Sequence, residues 1–536
     1  MNAAAGRSGK AAVGRLAALL LTAASPVRLS AQSLWHPEER VLISDFSQVR
    51  AIAASASLVF AATTHGLTIY DRMVHRWRLP VTTLDGYPRA LVRVALADPV
   101  SDAVWLGTDD GWAYYDVELR QWERGPAAGG VSGLVLDARD PAGGVFLASA
   151  TGWAFLPRGA LTTITGPPLP PPGRRIAPLS PEAALNLAPA ADAMRAFILT
   201  DQRLRSYAFT CAARTPDRTD LFFGTSGMGV VRVDATTGQW ESLRFGLLAR
   251  GAGSVWEDKD GVWVATLARA GERRGLTWLA PDLTADSVME TSGTTPLGCA
   301  DGRRLVAGGS FLWLACERGL LRISEGGGVR LFDVGRGLPS DQVVALAPAP
   351  DGVWAGTARG LARVTRDDLA HPTGGVERPV LSLLAAGDSL WVGTTDGLAL
   401  LLPGADELGV TEDVAREPAL HDAIVALARV RDRLVAVTPE QFAWRDPASG
   451  DWSLVHARSD LGAIAALVGD PDGAGVWIGG TTGLAFWDLA RGTFHVLYPP
   501  LDLPAGVRDL AVDQDYVWVA TDRGLVRLDR RTARGG

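Results

Sequence analysis

The pattern that organises this chain is complete in GLPSDQVVALAPAPDGVWAGTARGLARV (337–364). Its core is an aromatic residue, an apolar residue, Gly or Ala, Thr, two variable residues, Gly, and then Leu or Trp. Eleven copies, some of them degenerate, follow one another in steps of 37 to 50 residues, apart from one step of 76. The clearest copies are VWLGTDDGW (104–112), VWAGTARGL (353–361), LWVGTTDGL (390–398), VWIGGTTGL (476–484) and VWVATDRGL (517–525). Such self-similarity predicts one small structural unit copied many times.

The length and the content of the repeat predict the blades of a β-propeller. Four short strands joined by tight turns occupy about 40–45 residues in such a blade. The strand that carries the aromatic residue is apolar at consecutive positions, as expected of a strand buried on both faces. The aromatic ring would fill the space between blades, and the Gly or Ala two residues later would keep the inner side narrow. The Gly that closes the turn is expected to have a positive φ. We therefore expect an all-β protein, a β-propeller of about eleven four-stranded blades.

Eleven copies exceed the four to eight blades of an ordinary ring, which favours two rings. The last seven copies predict a seven-bladed propeller over residues 251–536, and residues 32–250 predict a smaller ring. A single larger ring and a masked fifth copy at AFILTDQRL (196–204) are the alternatives. The last copy lacks an outer strand, whereas SLWHPEERVLI (33–43) precedes the first copy. We expect this N-terminal strand to complete the last blade and to protect its edge.

The first residues resemble an export signal. Arg7, Lys10 and Arg15 precede the apolar run LAALLLTAA (16–24), and Leu29-Ser30-Ala31 forms a small-residue cleavage pattern. This layout predicts a signal peptide over residues 1–31. The apolar run is shorter than a bilayer span, so no membrane span is expected after cleavage. The predicted location is periplasmic or secreted.

Residues 161–205 interrupt the repeats. GPPLPPPG (166–173) predicts an extended polyproline segment, and Ser180-Pro181 predicts the start of a short helix that runs toward Arg195. A spacer between rings and a lid over one face both fit this insertion. Of the three cysteines, Cys299 and Cys316 are close enough in sequence to bridge neighbouring strands. Three buried thiols are the equally compatible alternative.

The repeat resembles the two-component regulator propeller repeat. The lead-in Gly337-Leu338-Pro339-Ser340 and the WxGTxxGL core carry this resemblance, which covers residues 40–530 approximately. It implies the exported sensory half of a receptor, or a stand-alone secreted relative of such domains. No kinase or receiver segment follows Leu525 in this sequence, so we expect a propeller without those domains.

The sequence carries none of the common motifs for catalysis or cofactor binding. The seven His lack metal-ligand spacing, and neither a GxSxG elbow nor a phosphate-binding glycine loop followed by a helix occurs. The acidic turns EDKDG (257–261) and GDPDG (469–473) resemble calcium loops, but hairpin turns explain them more simply. We therefore predict no enzyme, no cofactor and no metal. The net charge of −7 argues against nucleic acid as a partner.

The variable residues between Thr and Gly are the predicted binding residues, because variable turns on a rigid scaffold often carry recognition. The predicted set is Asp109, Asp110, Arg318, Arg359, Asp396 and Arg523. Together they would form a mixed-charge rim around a channel; ordinary solvated turn residues are the alternative. The predicted function is a non-enzymatic exported propeller that binds an unknown ligand, such as a glycan, or an envelope protein. The alternative is a secreted polysaccharide hydrolase or lyase with carboxylates in the channel.

Overall fold

The computed structural model describes residues 35–164, 166–187, 190, 198–201, 203–283, 286–290 and 299–535. The predicted signal peptide (1–31) lies outside the described residues. Within them, the strands form eleven antiparallel sheets, of which nine have four strands, one has five and one has three. The predicted all-β propeller fold is confirmed.

The first four sheets in chain order and α1 lie between residues 49 and 243, and β1 precedes them but belongs to the last sheet. Their elements are β1 (Arg40–Ile43), β2 (Val49–Ala54), β3 (Leu58–Thr63), β4 (Leu67–Asp71), β5 (Arg76–Trp77), β6 (Val92–Ala97), β7 (Ala103–Thr108), β8 (Gly111–Asp116), β9 (Gln121–Pro126), β10 (Gly133–Asp137), β11 (Gly144–Ser149), β12 (Gly152–Pro157), β13 (Arg175–Ile176), α1 (Pro181–Asn186), β14 (Ile198–Thr200), β15 (Ser206–Arg214), β16 (Asp220–Thr225), β17 (Val230–Asp234) and β18 (Trp240–Leu243).

The remaining elements build seven sheets. They are β19 (Gly251–Asp258), β20 (Gly261–Leu267), β21 (Gly275–Leu279), β22 (Asp286–Glu290), β23 (Arg304–Gly308), β24 (Phe311–Cys316), β25 (Gly319–Ile323), β26 (Val329–Phe332), β27 (Val343–Ala349), β28 (Gly352–Thr357), β29 (Gly360–Val364), β30 (Ala370–Pro372), β31 (Val380–Ala386), β32 (Ser389–Thr394), β33 (Gly397–Leu401), α2 (Glu412–Arg416), β34 (Ala426–Val430), β35 (Arg433–Val437), β36 (Gln441–Arg445), β37 (Trp452–His456), β38 (Ile464–Gly469), β39 (Gly475–Gly480), β40 (Gly483–Asp488), β41 (Thr493–Leu497), β42 (Val507–Val512), β43 (Tyr516–Thr521), β44 (Gly524–Asp529) and α3 (Arg530–Ala533).

The innermost strands of these seven sheets contact one another in a closed succession. β19 contacts β23, and the contacts continue through β27, β31, β34 and β38 to β42, which returns to β19. In the N-terminal part, β15 contacts β2, β2 contacts β6, and β6 contacts β10. The division of the chain into two domains at residue 250 stays a prediction.

The N-terminal strand completes the last sheet, as predicted. β1 pairs antiparallel with β44, from Arg40 opposite Leu528 to Ile43 opposite Leu525. The sheet order β1-β44-β43-β42 places β1 at the outer edge. Val41, Leu42 and Ile43 are buried there, so the edge of β44 is paired rather than exposed.

The aromatic residue of the repeat is buried against the next sheet. Trp477, on β39, packs with Leu510 and Val517 of the following sheet, and Trp518 packs with Val255 and Val264 across the closure. The rings at positions 60, 222, 313, 477 and 518 are fully buried, whereas those at 263, 354 and 391 are half-buried. The predicted role as filler between sheets is confirmed most clearly at the fully buried positions.

Gly479 lies where two neighbouring sheets approach closely. A Cβ at this residue would lie 2.5 Å from Cγ1 of Val507, the first residue of β42. The small residue of the repeat therefore lets the next innermost strand pack closely, as predicted.

We expect Gly479→Ala to lower the free energy of unfolding by about 1–3 kcal/mol, the usual range for overpacking a core. Urea unfolding monitored by Trp fluorescence measures this loss. Gly326→Ala is the matched control, because a Cβ there meets open space. Equal stability of the two variants would show that the inter-sheet gap tolerates a methyl group.

The insertion at 161–205 adds short elements beside two sheets of the N-terminal part. Ser180 caps α1 by accepting a hydrogen bond from Ala183 N at 3.1 Å, and Pro181 is the first helical residue, as predicted. α1 ends at Asn186, well before Arg195, and residues 191–197 lie outside the described residues. β13 pairs with β10 and β14 pairs with β15. The described part of the predicted fifth copy is therefore a strand added to the sheet of β15, not a sheet of its own.

Two of the three cysteines are bonded to each other rather than present as buried thiols. Cys299 and Cys316 form a disulfide with a Cα–Cα distance of 5.5 Å, and Cys211 is free.

Candidate functional site

In most sheets the turn between the second and third strands is built around the threonine of the repeat. The buried hydroxyls of Thr357, Thr394 and Thr521 donate to the carbonyl oxygen of the glycine three residues later, at 2.9, 3.0 and 2.7 Å. Gly360 and Gly524 have φ of +132° and +138°, the region that favours glycine. The threonine and the glycine thus fix the turn, and the two residues between them are free to vary.

These turns lie beside the start of the innermost strand, because the strands of each sheet are antiparallel. Arg508, near the start of β42, forms an ion pair with Asp522 in the turn between β43 and β44. It also lies 3.8 Å from Asp301, which precedes β23 two sheets away. Arg508 therefore connects its own sheet with the segment that leads into β23, at one end, the mouth, of the space that the innermost strands enclose.

The structure places the six predicted residues in exposed turns of this kind. Asp109 pairs with Arg93, Asp110 accepts the Thr108 hydroxyl at 2.6 Å, and Asp396 pairs with Arg378 at 2.9 Å. The guanidinium groups of Arg318, Arg359 and Arg523 have no hydrogen bond or ion pair to another described residue.

The six predicted residues do not form one cluster. Asp109 and Asp110 belong to the sheet of β6–β9, whereas the other four lie in the turns of four different sheets of the closed succession. No hydrogen bond or ion pair links any two of them, all six being described. They share a type of turn, and their use as a binding site stays a prediction.

Sequence reasoning missed a second set of residues on the same side. The pairing of the innermost strand with its neighbour shifts register around one extra residue, which is Arg50 in β2, Arg93 in β6 and Arg508 in β42. A bulge of this kind re-aims a side chain and is common near functional sites. All three arginines are exposed. The shared Val-Arg start of VRAIAA (49–54), VRVALA (92–97) and VRDLAV (507–512) is the signal that could have revealed them.

Arg523 lies in a basic part of the mouth. Burial lowers the pKa of the nearby Arg250 guanidinium, and the positive charges of Arg269 and Arg523 lower it further. The acidic groups Asp301 and Asp522 lie on the Arg508 side. The mouth of the seven-sheet ring thus carries charges of both signs.

Below this mouth lies a cavity of about 160 Å³, to which the innermost strands of all seven sheets contribute. Its one carboxylate is Asp509, which is buried. Asp509 accepts hydrogen bonds from Ser254 Oγ and Val255 N and pairs with Arg304. Arg304 also donates to the Ala465 carbonyl oxygen at 2.8 Å.

The carboxylate and the guanidinium group of the cavity are therefore both held in contacts within the protein. Burial raises the pKa of the Asp509 carboxyl, and Arg304 opposes that rise. A glycosidase needs two carboxyl groups that flank its substrate. The residues that line this cavity supply a single carboxyl group, that of Asp509, and its contacts stabilise the fold.

The acidic turn GDPDG (469–473) has a structural role. Asp470 accepts the Trp477 indole N–H at 3.1 Å and a hydrogen bond from Arg530 at 3.2 Å, and it also pairs with Arg534. These contacts support the hairpin interpretation of the sequence. In the described part of the chain, no group of three or more His, Cys, Asp or Glu is placed to hold a metal ion.

Among the described residues, no helix has the length and apolar character that crossing a membrane requires.

No protein-family model matches the sequence, and no curated protein matches it. Among solved structures, PorZ, a surface component of the type-IX secretion system of Porphyromonas gingivalis, is similar with a TM-score of 0.53 and 10% identity. That match covers 92% of this chain and 87% of PorZ. The extracellular domain of the putative one-component system BT4673 from B. thetaiotaomicron matches with a TM-score of 0.41 and 13% identity, over 90% of this chain and 70% of that domain. At these identities, the PorZ likeness concerns the fold alone. The resemblance to the two-component regulator propeller repeat stays a prediction.

Proposed function

We propose that this chain is a non-enzymatic, exported β-propeller that binds a ligand or a protein partner at the mouth of its seven-sheet ring. The observation that carries the proposal is the contrast between mouth and interior. The mouth presents exposed charged side chains such as Arg508, Arg523 and Asp522. The carboxylate of Asp509 in the cavity below is instead bound by other residues of the protein. A rigid scaffold with variable charged turns is suited to recognition.

The proposal includes a division of the chain into a signal peptide (1–31), an N-terminal ring (32–250) with the insertion at 161–205, and a C-terminal seven-bladed ring (251–536). The return of β42 to β19 supports the second ring. Export rests on the charged, apolar and small-residue order of the first 31 residues.

Two classes of binding partner fit this surface, a glycan and an envelope protein. The repeat resembles that of exported sensory domains, which supports binding rather than turnover as the task. The charges of both signs at the mouth would give selectivity, because a partner with the wrong charge pattern is repelled.

The test is binding of the mature chain to a glycan array, together with a pull-down from a detergent extract of bacterial envelopes. The double variant Arg318→Ala/Arg523→Ala should weaken the retained signal at least about tenfold, as expected when charged contacts worth about 1.4 kcal/mol or more are lost. Arg366→Ala is the control, because Arg366 is an exposed arginine in the turn between β29 and β30, on the opposite side of the ring.

Unchanged binding by the double variant would contradict the proposed location. Release of new reducing ends or unsaturated sugars from bound polysaccharide would contradict the non-enzymatic assignment and favour the hydrolase or lyase.

A further inference from the structure

A groove of about 690 Å³ lies far from the mouth, between α3 and the outer part of the sheet β38–β41. Its volume falls within the range of small-molecule sites. The turn between β38 and β39 and the turn between β40 and β41 contribute to it through Ala474 and Arg491. It therefore belongs to the side of the ring opposite the variable threonine turns.

The α3 wall of the groove is held firmly. Arg530 and Arg534 both contact Asp472 at 3.1 Å, in addition to their contacts with Asp470. Asp529 caps the helix by accepting from Thr532 N at 2.9 Å, and the Thr532 hydroxyl donates to Glu39 at 3.0 Å. A wall fixed by this many polar contacts presents its remaining side chains in a defined place.

The floor of the groove is aromatic. Phe486 is paired across the sheet with His495, so the two side chains lie side by side on one face. The Arg534 guanidinium lies 5.3 Å from the centre of the Phe486 ring, whereas Phe494 stacks on Trp487 on the other face of the sheet. The floor is thus rigid and partly apolar, and it would support the carbon skeleton of a ligand.

The charged groups around the floor are mostly basic. Arg491, Arg531, Arg534 and His495 line the groove, against Asp488 alone. Asp488 already accepts hydrogen bonds from Ala490 N and Arg491 N, both at 2.9 Å. The Arg531 side chain is exposed and has no hydrogen bond or ion pair to another described residue. Arg491 is 81% exposed and only loosely paired, 3.6 Å from Asp488.

The basic groove contrasts with the rest of this side of the ring. The turns between first and second strands carry exposed carboxylates there, as at Asp388, Asp432 and Asp515. A local excess of guanidinium groups among acidic turns concentrates positive potential at one spot. Guanidinium groups bind carboxylates and phosphates through paired, charge-assisted hydrogen bonds.

We propose that this groove binds a small organic anion that carries at least two carboxylate or phosphate groups. Arg491 and Arg531 bind the anionic groups from opposite walls, and Phe486 contacts the carbon skeleton. Arg534 stays in its contacts with Asp470 and Asp472 and positions the wall. This site is independent of the partner that binds at the mouth.

Isothermal titration calorimetry of the full mature chain tests the proposal, with citrate and fructose 1,6-bisphosphate as the two probes at physiological ionic strength. Saturable binding of at least one probe is expected, weakened about tenfold or more by Arg491→Ala and by Arg531→Ala. Both residues are exposed, so the variants should melt like the parent chain. Arg366→Ala, an exposed arginine in the turn between β29 and β30 and outside the groove, should bind like the parent.

Binding of citrate alone would assign the groove to polycarboxylates, binding of the bisphosphate alone to phosphate esters, and binding of both to multivalent anions in general. No saturable heat with either probe would overturn the proposal. So would equal weakening in Arg366→Ala, because that result would indicate nonspecific attraction between charges.

Discussion

Removal of residues 32–44 is expected to destabilise this protein more than any single substitution. The deletion takes away β1 and leaves β44 as an unpaired edge. It removes three buried side chains, Val41, Leu42 and Ile43, and exposes to solvent the apolar residues that pack against them. Full burial of such a side chain is worth about 1.5–3 kcal/mol, so a loss of roughly 5–8 kcal/mol is expected. The melting temperature of the truncated chain should therefore fall sharply.

The same deletion removes polar contacts between distant parts of the chain. The buried Arg40 donates to the carbonyl oxygens of Leu84 and Leu501, and Trp35 donates to Asp502 at 3.0 Å. A synthetic peptide of residues 33–46, added to the truncated chain, should raise its melting temperature with increasing concentration, because a ligand of the folded state stabilises it. An unchanged melting temperature after deletion would show that β1 does not close the ring.

Asp470→Asn is expected to have the second-largest effect. The Asp470 carboxylate is fully buried. It accepts a hydrogen bond from the Trp477 indole and forms ion pairs with Arg530 and Arg534. Replacement by a neutral amide leaves two guanidinium groups without their buried counter-ion. Loss of one partner of a buried ion pair costs about 3–5 kcal/mol.

The midpoint of urea unfolding measures this effect, and Asp472→Asn provides the matched control. Asp472 contacts the same two arginines, but half of its side chain is exposed. Its replacement should shift the midpoint far less, since solvent screens exposed ion pairs. Equal shifts for the two variants would contradict a buried role for Asp470.

The fold could be predicted because its information is local and repeated. Most units carry their own aromatic filler, such as Trp477, a small residue, such as Gly479, and a turn threonine, such as Thr357. Closure by β1 was also predictable, since the last copy lacks an outer strand and an unpaired edge needs a partner. These features follow from residues that are close together in sequence or from the number of strands in each copy.

The site was predictable only in part, because its contacts join residues that lie far apart in the chain. The turn position of Asp109 and Asp396 follows from the repeat, whereas their pairing with Arg93 and Arg378 does not. The bulge that exposes Arg508 depends on strand register, which a single strand does not encode.

The C-terminal arginines show the same limit. Arg530 and Arg534 look like part of a basic tail in the sequence, yet their acidic partners lie about 60 residues earlier in the preceding sheet. The groove beside α3 was missed for that reason, because one of its walls exists only when α3 is held against β38–β41.

The central claim is that recognition takes place at the mouth of the seven-sheet ring and involves no catalysis. A crystal structure of the mature chain, soaked with the tightest-binding glycan from the array or crystallised with the captured envelope protein, tests it most directly. The account predicts intact density for that partner over the mouth, in contact with Arg508, Arg523 or Arg318. Density for a cleaved glycan beside a pair of carboxylates, or an intact partner bound elsewhere, would contradict it.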